Sequence, residues 1–343
     1  MPSDGGGADR RGELHRPAGG RAVVIHAPKD LRVEDHAPLE PGPGQVRIRI
    51  RNGGICGSDL HYFHDGGFGT VRIKRPMILG HEVAGTVEAV GDGVSRVQAG
   101  DAVAVNPSRP CSRCRYCLEG LPNECLDMRF YGSAMRDPHV EGAFRDLLLC
   151  DAVQCELVAP AIPLQFAALA EPFSVALHGA AEIVVTDVVD EPLAVARALG
   201  ACLTNNVASD REWVRRYAAD KGSFEVMIEC SGNERALRDG LEVMRPRGVV
   251  VQLGLGGDVS LPQNTIVTKE LSICGSFRYH AEFAQAVGLI NDGRVNLAPL
   301  VTHTFPMAQA REAFELAGDR TQAMKVQIDF APPEPVAGGA NSC

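Results

Sequence analysis

Residues 181–200 read AEIVVTDVVDEPLAVARALG, and this stretch decides the fold. Ile183–Thr186 is short and almost wholly apolar, as a strand buried on both faces must be. Pro192–Leu199 then reads as a helix that stops at Gly200. A buried strand feeding a helix is one βα unit, and the alternation continues toward the C-terminus. Phe224–Glu229, Val249–Leu253 and Leu271–Cys274 read as strands. Asn233–Met244 reads as a helix with Ser231 or Asn233 as its N-cap, and Ala281–Leu289 as another. The pattern predicts a doubly wound α/β unit on a parallel sheet, followed by a strand-like ending at Val326–Phe330.

Toward the N-terminus the texture changes. From Arg21 to about Cys155 the pattern is strands and turns. Gln45–Arg51 (QVRIRIR) alternates with period two, and Val83–Val90 and Asp101–Val105 are β-rich. This predicts a β-rich domain with one polar face. The Gly/Arg-rich lead, residues 1–20, and the tail, residues 331–343, read as disordered.

A chain of 343 residues is too long for one ordinary domain, which agrees with two textures. Its net charge of −9, with no Lys/Arg run, excludes nucleic acid and an anionic membrane surface as expected partners. No apolar run is long enough to span a bilayer, and the first twenty residues lack the apolar core of a secretory signal. The expectation is a cytoplasmic protein in a reducing compartment. There, eleven cysteines, an odd number, stay thiols or hold metal.

Cys111, Cys114, Cys117 and Cys125 follow the spacing C-x2-C-x2-C-x7-C in a loop containing Pro107, Pro110 and Gly120. Four soft thiolates so close in sequence suit a tetrahedral Zn²⁺, with an iron–sulfur cluster as the rival. A closed four-thiolate site leaves no position for substrate, so this zinc is structural. Cys56 (GGICGSDLH), His81 and Glu82 (GHEVAG) and Glu171 form a second set, the first two segments reading as turns flanked by glycine. A mixed Cys/His/carboxylate set leaves a fourth position open, as catalytic zinc requires. Ser58 and His61 follow Cys56 by two and five residues and suit a path carrying a substrate proton to solvent.

GGICGSDLHYF, the pattern Gly80-His81-Glu82-x2-Gly85-x5-Gly91-x2-Val94 and the four-cysteine loop together resemble the zinc-dependent medium-chain alcohol and polyol dehydrogenases. NPSRPCSRCRYC, DMRFYGSAMRDPHVEGAF and AGDRTQAMKVQIDF resemble the polyol- and aldonate-oxidising branch. The resemblance implies a GroES-like catalytic domain over 21–171, a Rossmann coenzyme domain over 172–277, and a return to the catalytic domain over 278–330. It also implies two zinc ions per chain, NAD or NADP as cofactor, and a dimer or tetramer. It carries Cys56, His81 and Glu82 onto the catalytic-zinc shell and Glu171 onto a distal zinc or substrate carboxylate. Arg278 and Tyr279 fall where such enzymes contact substrate. Asp187 falls where an acidic group takes the adenosine ribose and so favours NAD.

One departure from the pattern stands out. A Rossmann half needs a glycine-rich turn about twenty residues before that acidic group, so that backbone amides can reach the pyrophosphate. No glycine lies between Ala143 and His178, and G-x-G-x-x-G occurs nowhere in the chain. The near miss Gly254-Leu255-Gly256-Gly257 follows the wrong strand. At the junction His178–Gly179 roughly thirty residues, one βα unit, are missing. The sequence therefore predicts a coenzyme domain without its central strand. The rival to a working dehydrogenase is a zinc-binding member with impaired dinucleotide binding. Within the working enzymes, a sorbitol-type polyol or a small alcohol are the alternative substrates.

Overall fold

The computed structural model describes residues 19–37, 39–176, 183–279 and 281–331. The His178–Gly179 junction and most of the lead and tail lie outside those residues, although Gly20 already opens the first strand. The strands used below are β1 (Gly20–Ala27), β2 (Asp30–His36), β3 (Gln45–Gly54), β4 (Glu82–Val90), β5 (Ala102–Val105), β6 (Leu147–Asp151) and β7 (Cys155–Leu157). They continue with β8 (Val184–Asp187), β9 (Leu203–Asn206), β10 (Phe224–Glu229), β11 (Met244–Gln252), β12 (Ser272–Gly275), β13 (Val301–Pro306) and β14 (Lys325–Asp329). The helices are α1 (Gly57–Asp65), α2 (Ala170–Ala176), α3 (Asp190–Ala198), α4 (Glu234–Val243), α5 (Gln263–Thr268), α6 (Glu282–Asn291) and α7 (Ala310–Ala317).

The β-rich half is a seven-stranded sheet of order β7-β5-β4-β3-β14-β13, with β6 also paired to β3. The period-two reading of β3 is realised: Val46, Ile48 and Ile50 are fully buried. Arg47 and Arg49, which alternate with them, donate to Glu88 on β4. The last three residues of β3 pair antiparallel with β14, so a strand nearly three hundred residues downstream closes this sheet. β1, β2 and the short strand Met77–Ile78 form a separate small sheet.

The α/β half is divided. β8 pairs in parallel with β9, and β10, β11 and β12 pair in parallel with one another, but the two groups are separate sheets. In the doubly wound order 3-2-1-4-5-6 these strands are positions 3-2 and 4-5-6. The break falls where position 1 belongs. On one face of the three-stranded sheet, Leu237 and Leu241 of α4 and Ile266 of α5 pack against Phe224, Met227 and Val250. On the other face Val226 and Ile228 are 46% and 43% exposed.

Where helices were read, they occur with shifted ends, and Asn233 caps α4 by accepting from the N–H groups of Arg235 and Ala236. One reading is corrected. The segment after Cys56 is not a turn but the nine-residue helix α1. Its buried Asp59, Tyr62 and Phe63 recur at helical spacing, a signal the flanking glycines obscured.

Candidate zinc and dinucleotide sites

The four loop cysteines converge. Their sulfurs lie within 4.8 Å of one another, with Cys114 Sγ 3.6 Å from Cys117 Sγ and 3.9 Å from Cys125 Sγ. Zn–S bonds of about 2.3 Å set the sulfurs of a tetrahedron roughly 3.8 Å apart, so the spacing fits zinc. The backbone N–H groups of Cys111 and Asp127 donate to Cys125 Sγ. Those of Cys117 and Leu126 pull the Cys114 thiol down to about 6, toward the thiolate a metal needs.

Cys56, His81 and Glu82 also bring their donor atoms within 4.8 Å. Cys56 is the N-cap of α1, His81 follows Gly80 at φ +92, and Glu82 opens β4. A Cβ on Gly54, at the end of β3, would stand 2.1 Å from Glu82 Oε2, so glycine is what lets the carboxylate sit there. Glu171, on α2, is buried in the same environment, and burial pushes its carboxyl up to about 7 against the pull of His81.

Two groups that the motifs did not single out hold this set. Lys325, the first residue of β14, donates to Glu82 Oε1 and Oε2 at 3.0 and 2.9 Å. Buried Asp59 accepts from the N–H groups of Cys56 and Gly80, tying both ligand-bearing segments to one carboxylate. Burial works against charge on His81, but Asp59 and Cys56 outweigh it and raise its pKa. His81 Nδ1 lies 3.7 Å from Asp59 Oδ1 and, although buried, has no hydrogen-bond partner. A thiol, an imidazole and a buried carboxylate whose donor atoms lie within 4.8 Å of one another, with one imidazole nitrogen left without a partner, fit a dication. The Asp59 signal was present in the sequence as the third residue after Cys56. Lys325 carried none, because only the return of β14 beside β3 brings it here.

Ser58 lies in the first turn of α1, and His61 lies one turn on at the surface, its Nδ1 3.9 Å from Asp65 Oδ2. The two side chains share a helix face. Arg278, at φ +59, stacks 4.4 Å from the Phe130 ring, which in turn lies 5.3 Å from the His81 ring. It has no carboxylate partner among the described residues, and it lines a cavity of about 210 Å³ with Asn123, Ser133 and Arg136. Tyr279 is buried with its hydroxyl unpartnered; burial and then Glu171 raise its pKa. Ser108 Oγ, another group the motifs did not reveal, is also buried and unpartnered.

The dinucleotide side differs. Asp187 closes β8, but its Oδ1 accepts from the N–H groups of Val188 and Val189, and its Oδ2 accepts from Arg320 at 2.6 Å. Gly254 and Gly256 offer no substitute cradle. A Cβ there would meet Gly232 N at 2.1 Å and Gly232 O at 1.7 Å, so that loop is packed against its neighbour. Among the described residues, no glycine turn faces a helix N-terminus beside β8. The described residues do not fit the pyrophosphate of NAD(P).

Residues 42–160 match the alcohol dehydrogenase GroES-like domain, and residues 174–292 match the zinc-binding dehydrogenase family. The chain is 39% identical to L-idonate 5-dehydrogenase (NAD(P)(+)) of Escherichia coli K12, over 90% of this chain and 98% of that protein. It is 33% identical to human sorbitol dehydrogenase over 86% and 91%. The crystal structure of the Escherichia coli L-idonate 5-dehydrogenase superimposes with a TM-score of 0.86 at 37% identity, covering 91% of this chain and 98% of that one. In both sequence matches the aligned lengths, 343 and 330 positions, exceed the share of this chain they use by about a tenth of its length. That shortfall is of the size of the missing βα unit.

Proposed function

The chain belongs to the zinc-dependent medium-chain alcohol dehydrogenases, and we propose that it oxidises a secondary hydroxyl of a polyol or aldonate, the L-idonate to 5-ketogluconate type of reaction. The observation that carries this reading is the set of half-buried Cys56 with buried His81 and Glu82, with Arg278 stacked on the far side of the Phe130 ring from His81. Zinc bound by Cys56, His81 and Glu82, with Glu171 as a further ligand or substrate contact, would supply Lewis acidity that favours the ionised form of a substrate hydroxyl.

The chain's own groups do the rest. Lys325 holds Glu82 in place through both carboxylate oxygens, and Asp59 fixes the relation of Cys56 to His81. Ser58 receives the substrate proton, and His61, exposed one turn further, passes it to water. Arg278 pairs with the carboxylate of an aldonate, for which a planar guanidinium is suited, and Tyr279 and Ser108 offer free hydroxyls to the polyol chain.

The reading extends to domains at 21–171, 172–277 and 278–330, a second zinc held by Cys111, Cys114, Cys117 and Cys125, a dimer or tetramer, and a cytoplasmic location. No described helix is long and apolar enough to cross a membrane. Asp187 stands where the resemblance implies an NAD ribose contact, but its carboxylate is held by Arg320 and by the N–H groups of Val188 and Val189.

Substrate binding tests this without turnover. Thermal melting of the zinc-loaded protein should rise with L-idonate, less with sorbitol, and not with ethanol, because a ligand of the native state alone stabilises it. Arg278→Ala should abolish the preference for L-idonate over sorbitol, and Cys56→Ser should abolish both responses. Absence of any shift with either polyol would overturn the assignment.

A further inference from the structure

In the β-rich half, β6 and β7 follow one another in the chain with only Ala152–Gln154 between them. In the sheet, β5, β4 and β3 stand between the two. Strands lie about 4.8 Å apart, so four spacings on a flat sheet amount to roughly 19 Å. Four residue steps, from Asp151 to Cys155, reach about 14 Å at most. The sheet therefore curls until its ends meet, as strands do in a small barrel. Among the described residues no ladder joins β6 to β7, so side chains close this seam.

A pair of thiols lies there. Cys150 Sγ is 3.6 Å from Cys155 Sγ, and the two residues are 3% and 0% exposed. Both cysteines are free, and neither belongs to a metal-ligand set. The turn between them is held from the zinc-bearing loop. Gln154 Nε2 donates to Asn106 O and Ser108 O, and Arg109 pairs with Asp151 at 2.7 Å. Ser108–Arg109 pairs in turn with Arg129–Phe130, so the turn anchors both ends of the four-cysteine segment. The same turn is open to solvent. Val153 at its centre is 74% exposed, and the turn lines a cleft of about 590 Å³ with Ser108 and Arg109.

We propose that Cys150 and Cys155 form a reversible thiol–disulfide site that a hydroperoxide closes, joining the two ends of the curled sheet by a covalent bond. The Cys155 sulfur attacks the terminal peroxide oxygen. An S–O bond forms as the O–O bond breaks, and the departing oxygen takes the Cys155 proton, leaving as alcohol or water. The Cys150 sulfur then attacks the Cys155 sulfur and the S–O bond breaks. Hydroxide leaves with the Cys150 proton as water. The two thiols lose two electrons and the hydroperoxide gains them. For this the sulfurs approach by about 1.5 Å, from contact to a bond of about 2.05 Å. The hydrogen bond to Cys155 and burial both raise the Cys150 pKa, so this thiol keeps its proton and serves as the resolving partner. Protonated, buried thiols react more slowly than exposed thiolates, so the site registers sustained rather than trace oxidant.

The full-length, zinc-loaded chain is treated with hydrogen peroxide, unfolded, alkylated and digested with trypsin. Residues 146–197 form one tryptic peptide in which Cys150 and Cys155 are the only cysteines. It should emerge about two mass units lighter and free of alkyl groups, and dithiothreitol should restore both alkylation sites. At equal zinc content, the oxidised chain should melt roughly 2–6 °C above the reduced one, because the bond closes a short loop in the unfolded chain. Cys155→Ser should abolish that rise. Two alkylated thiols in this peptide after the exposed Cys202, Cys230 and Cys274 have been consumed would overturn the site. So would sulfinic acid on either sulfur, or a bond from either to another cysteine, because a poised partner captures the first oxidation product. A disulfide that leaves the melt unchanged or lowers it overturns the closure of the seam. The mass map needs no variant, so it decides the bond even where Cys155→Ser lowers zinc content.

Discussion

In the zinc-bearing half Ile48 on β3 is wholly buried, with a strand paired on each side of it, whereas in the α/β half Ile228 on β10 is 43% exposed and its strand is paired on one side only. Both residues sit on strands whose apolar positions read clearly in the sequence. What separates them is completeness. The first sheet receives β13 and β14 from the far end of the chain and closes over its core; the second lacks its middle. An apolar residue is stabilised by the surface that covers it, not by its own type, so the same side chain has very different weight in the two halves.

The largest expected effect tests what holds the first half together besides that core. Cys114→Ser should lower zinc content by about one ion per chain and destabilise the region by a sizeable part of the ~10 kcal/mol that structural zinc contributes in isolated peptides. Metal analysis and thermal melting read this; an unchanged melt would mean that the sheet core alone suffices.

The next prediction addresses the contrast directly. Ile48→Ala should cost about 2–5 kcal/mol in denaturant unfolding, as large-to-small changes in closed cores do. Ile228→Ala should stay within about 1 kcal/mol, as exposed substitutions do. Equal costs would erase the distinction between the halves.

Within the α/β half, one group should resemble a closed core. Glu229 is buried at the end of β10, and burial opposes its charge. The Ser231 hydroxyl, the N–H groups of Ser231 and Gly232, and the Gln252 amide nevertheless hold its pKa below the usual carboxylate value. A depressed pKa means that this stabilisation is complete above the unfolded value near 4.5 and is lost as pH falls through the folded one. Glu229→Gln should therefore cost about 1–3 kcal/mol at neutral pH, with the gap to the parent protein closing below pH 4.5. A gap independent of pH would show that shape, not charge, matters there.

The smallest effect is expected where the halves meet. Arg320, 59% exposed, pairs with Asp187 across them, and an exposed pair contributes less than about 1 kcal/mol. Arg320→Ala should leave the melting temperature nearly unchanged. A drop comparable to that of Ile48→Ala would mean that the α/β half is held to the zinc-bearing half through this contact.

Much of this was legible locally. Period two in QVRIRIR and the switch to alternating strand and helix after Ile183 identified both halves, since side-chain period follows backbone geometry. Cysteine spacing marked the four-thiolate site, because its ligands lie within fifteen residues and the loop between them can close without help from the rest of the chain. The helix after Cys56 was missed, since flanking glycines are as compatible with a turn as with the start of a helix.

The sequence by itself determined the two textures, the four-cysteine cluster, the pairing of Cys56 with the adjacent His81 and Glu82 as candidate ligands, and the absence of the G-x-G-x-x-G pattern, all of which are matters of residue type and motif. Only the tertiary structure decided that Lys325 holds Glu82 and that Arg278 lies beyond Phe130 from His81. It alone decided that Arg320 occupies Asp187 and that the loss of one unit splits the sheet rather than drawing it closed. These outcomes join residues up to 243 positions apart. Which distant groups meet is set by how strands pair and which faces find cover, and no local pattern records that.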